Sequence, residues 1–183
     1  MASRIFTVPN QLTFLRLGFL PFFIISIYYG YYQWALAVLI AAALTDGLDG
    51  LLARWLNQKT PLGAYLDPIA DKLLLSSSFF MLALNGKIAW WLAILVLGRD
   101  VLILIAAAVI LLVAGYRPLP PSIYGKLTTT VQILLVFLVV LGAVVGTSWL
   151  EFLQDVFVYL VAGFTVLSGL HYSVTIARRI NSS

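Results

Sequence analysis

Apolar residues dominate the chain in long runs, and polar residues are largely confined to short segments between them. A helix needs about 20 mostly apolar residues to cross a bilayer, and six runs meet this requirement. They cover residues 12–29, 33–56, 63–84, 88–114, 122–146 and 150–177. Pro9 disfavours a long helix before the first run, so residues 1–11 are predicted to form a short interfacial segment. The pattern thus predicts an all-α integral membrane protein with six transmembrane helices.

The composition agrees with this class and excludes others. Of the 183 residues, 62% are hydrophobic and 10% are charged, whereas soluble domains average about 45–50% and about 25%. A water-soluble or disordered chain of this length could not carry so much apolar surface. The absence of cysteine excludes disulfides and thiolate metal sites. Because the connections between the runs are short, residues 1–183 are predicted to form a single membrane domain.

The basic residues predict how the helices are oriented. Under the positive-inside rule, the side of the membrane richer in lysine and arginine faces the cytoplasm. The membrane itself is expected to be a bacterial inner membrane. The opposite turns carry Lys87 and clusters of tyrosine and tryptophan. The net charge is +4, but the eleven basic residues are scattered along the chain and form no patch. The predicted partners are therefore anionic membrane lipids and not nucleic acid. The residues assigned to the cytoplasmic side, which includes both termini, are Arg4, Arg16, Arg54, Lys59, Lys72, Arg117, Lys126, Arg178 and Arg179.

Four of the seven acidic residues lie in one segment, at positions 46–71. Asp46 and Asp49 lie three residues apart and share one face of a helix. Asp67 and Asp71 lie four residues apart and share a face of the next helix. Residues 55–62 between them are rich in polar residues and include a proline, which favours a turn. Two antiparallel helices joined there would point four carboxylates at one another near their cytoplasmic ends.

Such a cluster predicts a metal site. Four carboxylates cannot all stay ionised in a low-dielectric site without compensating positive charge. Oxygen ligands favour Mg²⁺, Mn²⁺ or Ca²⁺, and two hard metal ions close together recur where displacement takes place at phosphorus. Arg54 would be placed to bind a phosphate. The alternative, that the aspartates are helix caps or interfacial charges, suits one such residue better than four, since charges within a membrane are costly.

The string Asp46-Gly-Leu-Asp49-Gly50-Leu-Leu-Ala53-Arg54, followed by Gly63, Asp67 and Asp71, resembles the pattern D-x2-D-G-x2-A-R-x8-G-x3-D-x3-D of the CDP-alcohol phosphatidyltransferases. The resemblance extends to the opening Pro9-Asn10-Gln11-Leu12-Thr13 with Arg16, to Gly98-Arg99-Asp100 and to Gly125-Lys126. It implies transfer of a phosphatidyl group from CDP-diacylglycerol to an alcohol with release of CMP. It also implies a homodimer that uses two divalent ions, Mg²⁺ or Mn²⁺.

The resemblance implies a role for individual residues. Asp71 would be both a metal ligand and the general base that takes the proton of the acceptor hydroxyl. Arg99 and Lys126 are candidates to bind the phosphate of the acceptor. The residues alone also allow a buried ion pair for Arg99 and simple interfacial anchoring for Lys126. The metal ligands would be Asp46, Asp49, Asp67 and Asp71, and the residues that hold the CDP-lipid would be Gly50, Arg54 and Thr60.

The acceptor is predicted to be a glycerol-type phosphate. Glycerol 3-phosphate would give phosphatidylglycerol phosphate, and the alternative acceptor, phosphatidylglycerol, would give cardiolipin. Two other classes compete with a phosphatidyltransferase. Intramembrane prenyltransferases usually need two separate aspartate motifs and more spans, and cation transporters usually have repeats and broken helices. Magnesium-dependent release of CMP from CDP-diacylglycerol would separate the three classes.

Overall fold

The structure, a computed structural model, consists of six α-helices, with no strand in the residues that it describes. It describes the backbone of residues 8–55, 61–114 and 123–180, and the side chains of residues 11, 13–48, 68–105 and 123–174. The helices are α1 Val8–Tyr28, α2 Tyr32–Trp55, α3 Pro61–Leu84, α4 Trp90–Ala114, α5 Ile123–Val145 and α6 Ser148–Ile180. The six predicted helices are therefore present, with bounds that differ from the prediction by a few residues.

The start of α1 corrects one prediction. The interfacial segment was expected to extend through residue 11, but α1 already begins at Val8. Pro9 is compatible with this start because the first N–H groups of a helix have no acceptor within the helix, so proline sacrifices no hydrogen bond there. The remaining residues of the predicted segment, 1–7, lie outside the described residues.

Three tight turns lie at one end of the bundle. Gly30, Gly86 and Gly146 have φ angles of 75°, 67° and 67° and follow α1, α3 and α5. Glycine adopts this left-handed conformation without the steric penalty that other residues pay, and it commonly ends helices. Exposed aromatic side chains surround these turns, as expected of a membrane-interface belt. They are Tyr28, Tyr29, Tyr31, Trp34, Trp90, Trp91 and Trp149.

The apolar core and the buried polar residues occupy different halves of the bundle. Phe23, Phe79, Leu92 and Val140 are completely buried, and all four lie in the half of their helix nearest the glycine turns. Most buried polar side chains lie farther from these turns, and two of them, Arg99 and Asp100, lie near the middle of α4. Those in the other half of their helices are Thr13, Arg16, Thr128, Gln132, Thr165 and Ser168. The fold thus places a well-packed apolar half beside a polar half that can carry chemistry.

Helix α1 is central to the arrangement of the first three helices. It packs against both α2 and α3, whereas the backbones of α2 and α3 do not approach each other closely within the described part of the chain. Helix α6 packs on α5 and α4, and α4 also contacts α3. The predicted hairpin of α2 and α3 is therefore not a directly packed pair at the described residues, and α1 supplies a surface that both share.

Two basic residues that the orientation prediction assigned to the cytoplasmic end lie inside helices. Arg16 is within α1 and Lys72 is within α3, and both pair with carboxylates. They therefore bridge neighbouring helices of the bundle and do not mark a chain turn. Among the other predicted cytoplasmic residues, Lys126 lies in the first turn of α5.

Two helices in the described residues are long and apolar enough to cross a membrane, namely Ile123–Val145 and Ser148–Val174. Thr13–Tyr28 and Tyr32–Leu48 form shorter apolar stretches. Large apolar side chains such as Ile94, Leu102 and Leu104 are more than 60% exposed. A surface with many such residues is unusual for a soluble monomer and is suited to contact with lipid. The number of spans, six, stays a prediction.

Candidate active site

A charged cluster joins α1, α2 and α3. The Nη2 atom of Arg16 lies 2.9 Å from Oδ1 of Asp46, and its Nη1 atom lies 2.6 Å from Oδ1 of Asp71. The Arg16 side chain is 1% exposed, whereas the side chains of Asp46 and Asp71 are 55% and 49% exposed. The first and last aspartates of the motif are thus brought together, as predicted, but by a guanidinium group between them.

The helical backbone constrains the rest of the motif. Asp49 follows Asp46 by three residues on α2, and Asp67 precedes Asp71 by one turn on α3, so each pair shares a helix face. Among the described side chains, no three acidic or histidine residues form a group that could hold a metal ion. Half of the predicted ligand set lies outside those side chains, so the metal site stays a prediction. The predicted residues whose side chains are not described are Asp49, Gly50, Arg54, Thr60 and Asp67.

A second charged cluster joins α3, α4 and α6. The Arg99 Nη1 atom donates a hydrogen bond of 2.9 Å to Oδ1 of Asp100, and its Nη2 atom donates one of 2.5 Å to Oγ of Ser168. Lys72 forms an ion pair with the same Asp100 oxygen. Arg99 and Asp100 are 8% and 4% exposed. The buried ion pair that the sequence allowed for Arg99 is therefore present, and Lys72 enlarges it.

Arg99 also lines an open cleft of about 440 Å³. Lys126 reaches this cleft from the first turn of α5, where the helix N-terminus favours a negatively charged ligand. The Arg99 guanidinium lies 6.0 Å from the centre of the Tyr172 ring, which also lines the cleft. The lining residues are Arg99, Ile103, Gly125, Lys126, Thr129, Thr130 and Tyr172. The two predicted acceptor-binding residues thus share one cleft, which is chemically suited to an anion.

The two clusters are neighbours. Lys72 follows Asp71 directly in α3, and its ion pair with Asp100 connects α3 to α4. Arg99 and Asp100 therefore lie at the level of the aspartate motif, although both are inside a long apolar run. The two clusters are thus connected in α3 by consecutive residues, Asp71 of the first cluster and Lys72 of the second.

Three contributors to these clusters were not identified from the sequence as site residues. Arg16 and Lys72 carry a signal that could have shown them, because a charge within an apolar helix requires a partner. Ser168 carries no such signal, since a serine in a long helix has no distinctive pattern. Its role becomes visible only when α6 is placed beside α4.

Comparison of the sequence with known proteins identifies the same family that the aspartate motif resembles. The family model described as CDP-alcohol phosphatidyltransferase matches residues 6–167. A Mycobacterium tuberculosis protein named "Probable phosphatidylglycerophosphate synthase" is 37% identical over 145 residues, which cover 76% of this chain and 68% of that protein.

Two further relatives carry different names. The "Cardiolipin synthase (CMP-forming)" of Streptomyces coelicolor is 34% identical over 190 residues, which cover 98% of this chain and 87% of that protein. The "CDP-diacylglycerol--glycerol-3-phosphate 3-phosphatidyltransferase" of Pseudomonas fluorescens is 41% identical over 101 residues and 52% of each chain. The family match runs from before Arg16 to beyond Lys126 and includes the whole aspartate motif. The chain therefore belongs to the CDP-alcohol phosphatidyltransferase family.

Proposed function

We propose that this chain transfers the phosphatidyl group of CDP-diacylglycerol to the hydroxyl of glycerol 3-phosphate, which gives phosphatidylglycerol phosphate and CMP. One observation carries the proposal. A half-exposed carboxylate cluster and a cationic cleft lie on neighbouring helices and are linked by the ion pair of Lys72 and Asp100. The first suits divalent cations, and the second suits the phosphate of an acceptor.

The carboxylate cluster fits divalent metal ions. Asp46 and Asp71 present carboxylate oxygens, which are hard ligands, in half-exposed positions. Arg16 compensates only one of their two negative charges. Together with Asp49 and Asp67 on the same helix faces, they would hold two ions, Mg²⁺ or Mn²⁺. When bound, such ions neutralise negative charge on the diphosphate of the substrate.

The protein residues then orient the substrates and move one proton. Asp71 accepts the proton of the acceptor hydroxyl, and the hydroxyl oxygen forms a bond to the phosphorus of the phosphatidyl group. The bond from that phosphorus to the CMP oxygen breaks, and CMP leaves with the electron pair. Gly50 allows the headgroup close to α2, Arg54 pairs with a phosphate, and Thr60 completes the CDP-lipid site.

The charge of the cleft favours glycerol 3-phosphate as acceptor. Arg99 and Lys126 line the cleft and supply two positive charges. The negative charge of the buried Asp100 beside Arg99 is balanced by Lys72, so two positive charges remain for a ligand. A phosphate monoester carries up to two negative charges at neutral pH, whereas the phosphodiester of phosphatidylglycerol carries one. Phosphatidylglycerol is the second candidate, because the relative whose match covers 98% of this chain is named a cardiolipin synthase.

A panel of acceptors tests the proposed reaction. Purified protein in detergent would be incubated with labelled CDP-diacylglycerol and with glycerol 3-phosphate, phosphatidylglycerol, inositol phosphate or serine. We expect CMP and phosphatidylglycerol phosphate with glycerol 3-phosphate, no turnover in excess chelator, and recovery with Mg²⁺ or Mn²⁺. Transfer to phosphatidylglycerol alone would make the chain a cardiolipin synthase. Full turnover in excess chelator would contradict the metal site.

The proposal includes six spans in a bacterial inner membrane, a cytoplasmic active site and a homodimer. The sequence has no cysteine, so single cysteines can report the orientation without background. A cysteine replacing Lys59 should react with an impermeant reagent only from the cytoplasmic side, and one replacing Thr147 only from outside. Thr147 is preferable to Gly146, whose φ of 67° would strain any other residue. The reverse labelling pattern would contradict the orientation.

A further inference from the structure

Arg16 is an unusual residue for its position in α1. It lies in an apolar helix, is 2% exposed, and is among the largest fully buried side chains. A guanidinium group is always ionised in proteins, so its burial is costly unless charged partners surround it. The partners that the structure provides are the first and last aspartates of the motif. The position of Arg16 is therefore tied to that of the motif.

The guanidinium uses two different nitrogens for Asp46 and Asp71. Nη2 contacts Asp46 on α2 and Nη1 contacts Asp71 on α3, with one oxygen of each carboxylate involved. A planar guanidinium holds its nitrogens at a fixed separation and direction, unlike the flexible point charge of lysine. Although α2 and α3 do not pack closely on each other in the described part of the chain, this group bridges a carboxylate of one to a carboxylate of the other.

The exposure of the three side chains shows on which side a ligand would approach. The Arg16 side chain is almost inaccessible, while both carboxylates are about half exposed, so a ligand reaches the carboxylates and not the guanidinium. The exposed parts of the two carboxylates therefore remain accessible to a second cation.

We propose that Arg16 is a positioning residue that fixes the distance between Asp46 and Asp71 and so prepares the metal site. The inference rests on the proposed function, because it assumes that these carboxylates bind metal ions. Arg16 acts through the two aspartates and needs no contact with the substrate. In its absence, two neighbouring carboxylates would repel each other, and Asp46 and Asp71 would lose their ion pairs with α1.

Geometry and charge make opposite predictions for substitutions of Arg16. On charge alone, Arg16→Gln removes a positive group beside a cation site and should raise metal affinity, while Arg16→Lys should leave it unchanged. If the planar guanidinium of Arg16 sets the spacing of the two carboxylates, both variants should bind metal more weakly. Changes in groups that orient metal ligands typically cost about 10- to 100-fold in affinity.

The test is a titration of Mn²⁺ into purified protein without substrate, with free Mn²⁺ followed by its electron paramagnetic resonance signal. Wild type, Arg16→Gln and Arg16→Lys would be compared. Arg99→Lys is the matched control, because it makes the same change in another buried arginine that pairs with an aspartate outside the motif. Thermal unfolding in chelator would show that each variant is folded, and Arg16→Lys remains usable if Arg16→Gln does not fold.

We expect Mn²⁺ affinity to fall about 10- to 100-fold in Arg16→Gln and by a smaller factor in Arg16→Lys, and to stay at the wild-type value in Arg99→Lys. Unchanged affinity in Arg16→Lys, or higher affinity in Arg16→Gln, would overturn the positioning role and leave the metal site intact. An absence of Mn²⁺ binding by wild type would overturn the metal site itself, and the role of Arg16 with it. An equal fall in Arg99→Lys would show a general effect of losing a buried arginine and would also overturn the inference.

Discussion

The two charged clusters differ in which charges they bury. Among α1, α2 and α3, the buried residue is the cation Arg16, and the carboxylates of Asp46 and Asp71 are half exposed. Among α3, α4 and α6, the most buried charge is the carboxylate of Asp100, and it holds Arg99 and Lys72. The first cluster buries its cation and leaves its carboxylates accessible, whereas the second buries the Arg99–Asp100 ion pair and leaves Lys72 partly exposed.

This difference separates two tasks that one reaction requires. The first cluster presents carboxylates and suits divalent cations, whereas the cleft beside the second, lined by Arg99 and Lys126, suits a phosphate. A buried charge is expensive to leave unpaired, so Arg16 in the first cluster and Asp100 in the second hold the groups that pair with them. We infer that donor and acceptor bind in adjacent sites of opposite charge, which limits the repulsion between two anionic substrates.

Substitution of Asp71 should have the largest effect. Asp71→Asn keeps an oxygen that can accept a hydrogen bond from Arg16, but the amide cannot take a proton at neutral pH. Turnover should fall about 10²- to 10⁴-fold, the range typical of a general base, while CDP-diacylglycerol still binds. Lipid binding and CMP release would be measured side by side, with Asp46→Asn as the comparison variant that should weaken both metal and CDP-lipid binding. Near-normal turnover by Asp71→Asn would assign the base to another group.

Substitution of Asp100 should affect the acceptor alone. Asp100→Asn removes the charge that holds both Arg99 and Lys72, so Arg99 should lose its fixed position in the cleft. We expect the KM for glycerol 3-phosphate to rise about 10- to 100-fold, the cost of disturbing a buried charge pair, with kcat little changed. Asp155→Asn, an exposed residue at the other end of the bundle, is the control. A change in kcat without a change in KM would contradict the assignment.

Loss of the Ser168 hydroxyl should have the smallest effect. Ser168→Ala removes one hydrogen bond to Arg99 but leaves its ion pair with Asp100. Since a single hydrogen bond contributes about 0.5–1.5 kcal/mol, the KM for glycerol 3-phosphate should rise about two- to tenfold. Ser173→Ala is a matched control, because that exposed hydroxyl donates a hydrogen bond to the Gly169 carbonyl of its own helix. Equal effects of the two variants would indicate that Ser168 does not position Arg99.

The sequence allows the helices and the motif to be predicted because both depend on local spacing. Apolar runs gave six helices, and residues three or four apart on a helix share a face wherever that helix packs. The pairing of Arg99 with Asp100 was similarly accessible, since the two are adjacent in the chain. Asp46 and Asp71 were expected to converge because a turn was predicted between them.

The partners of these groups depend on how helices rotate against one another, which no local pattern fixes. Arg16 lies 30 residues before Asp46, and Ser168 lies 69 residues after Arg99. Arg16 and Lys72 were interpreted as markers of orientation, although a charge inside an apolar run also predicts an unnamed partner. Only the packing of α1 on α2 and α3, and of α4 on α3 and α6, identifies those partners.

The most direct measurement of the central claim, two adjacent sites with separate tasks, is a crossed titration of Asp46→Asn and Lys126→Gln. For each variant, the Mg²⁺ concentration at half-maximal turnover and the KM for glycerol 3-phosphate would be determined on the same preparation. Asp46→Asn should raise the Mg²⁺ requirement at least about tenfold and leave the KM within about twofold. Lys126→Gln should raise the KM about tenfold without changing the Mg²⁺ requirement. Parallel shifts of both quantities in both variants would contradict the claim, because they would indicate a single site.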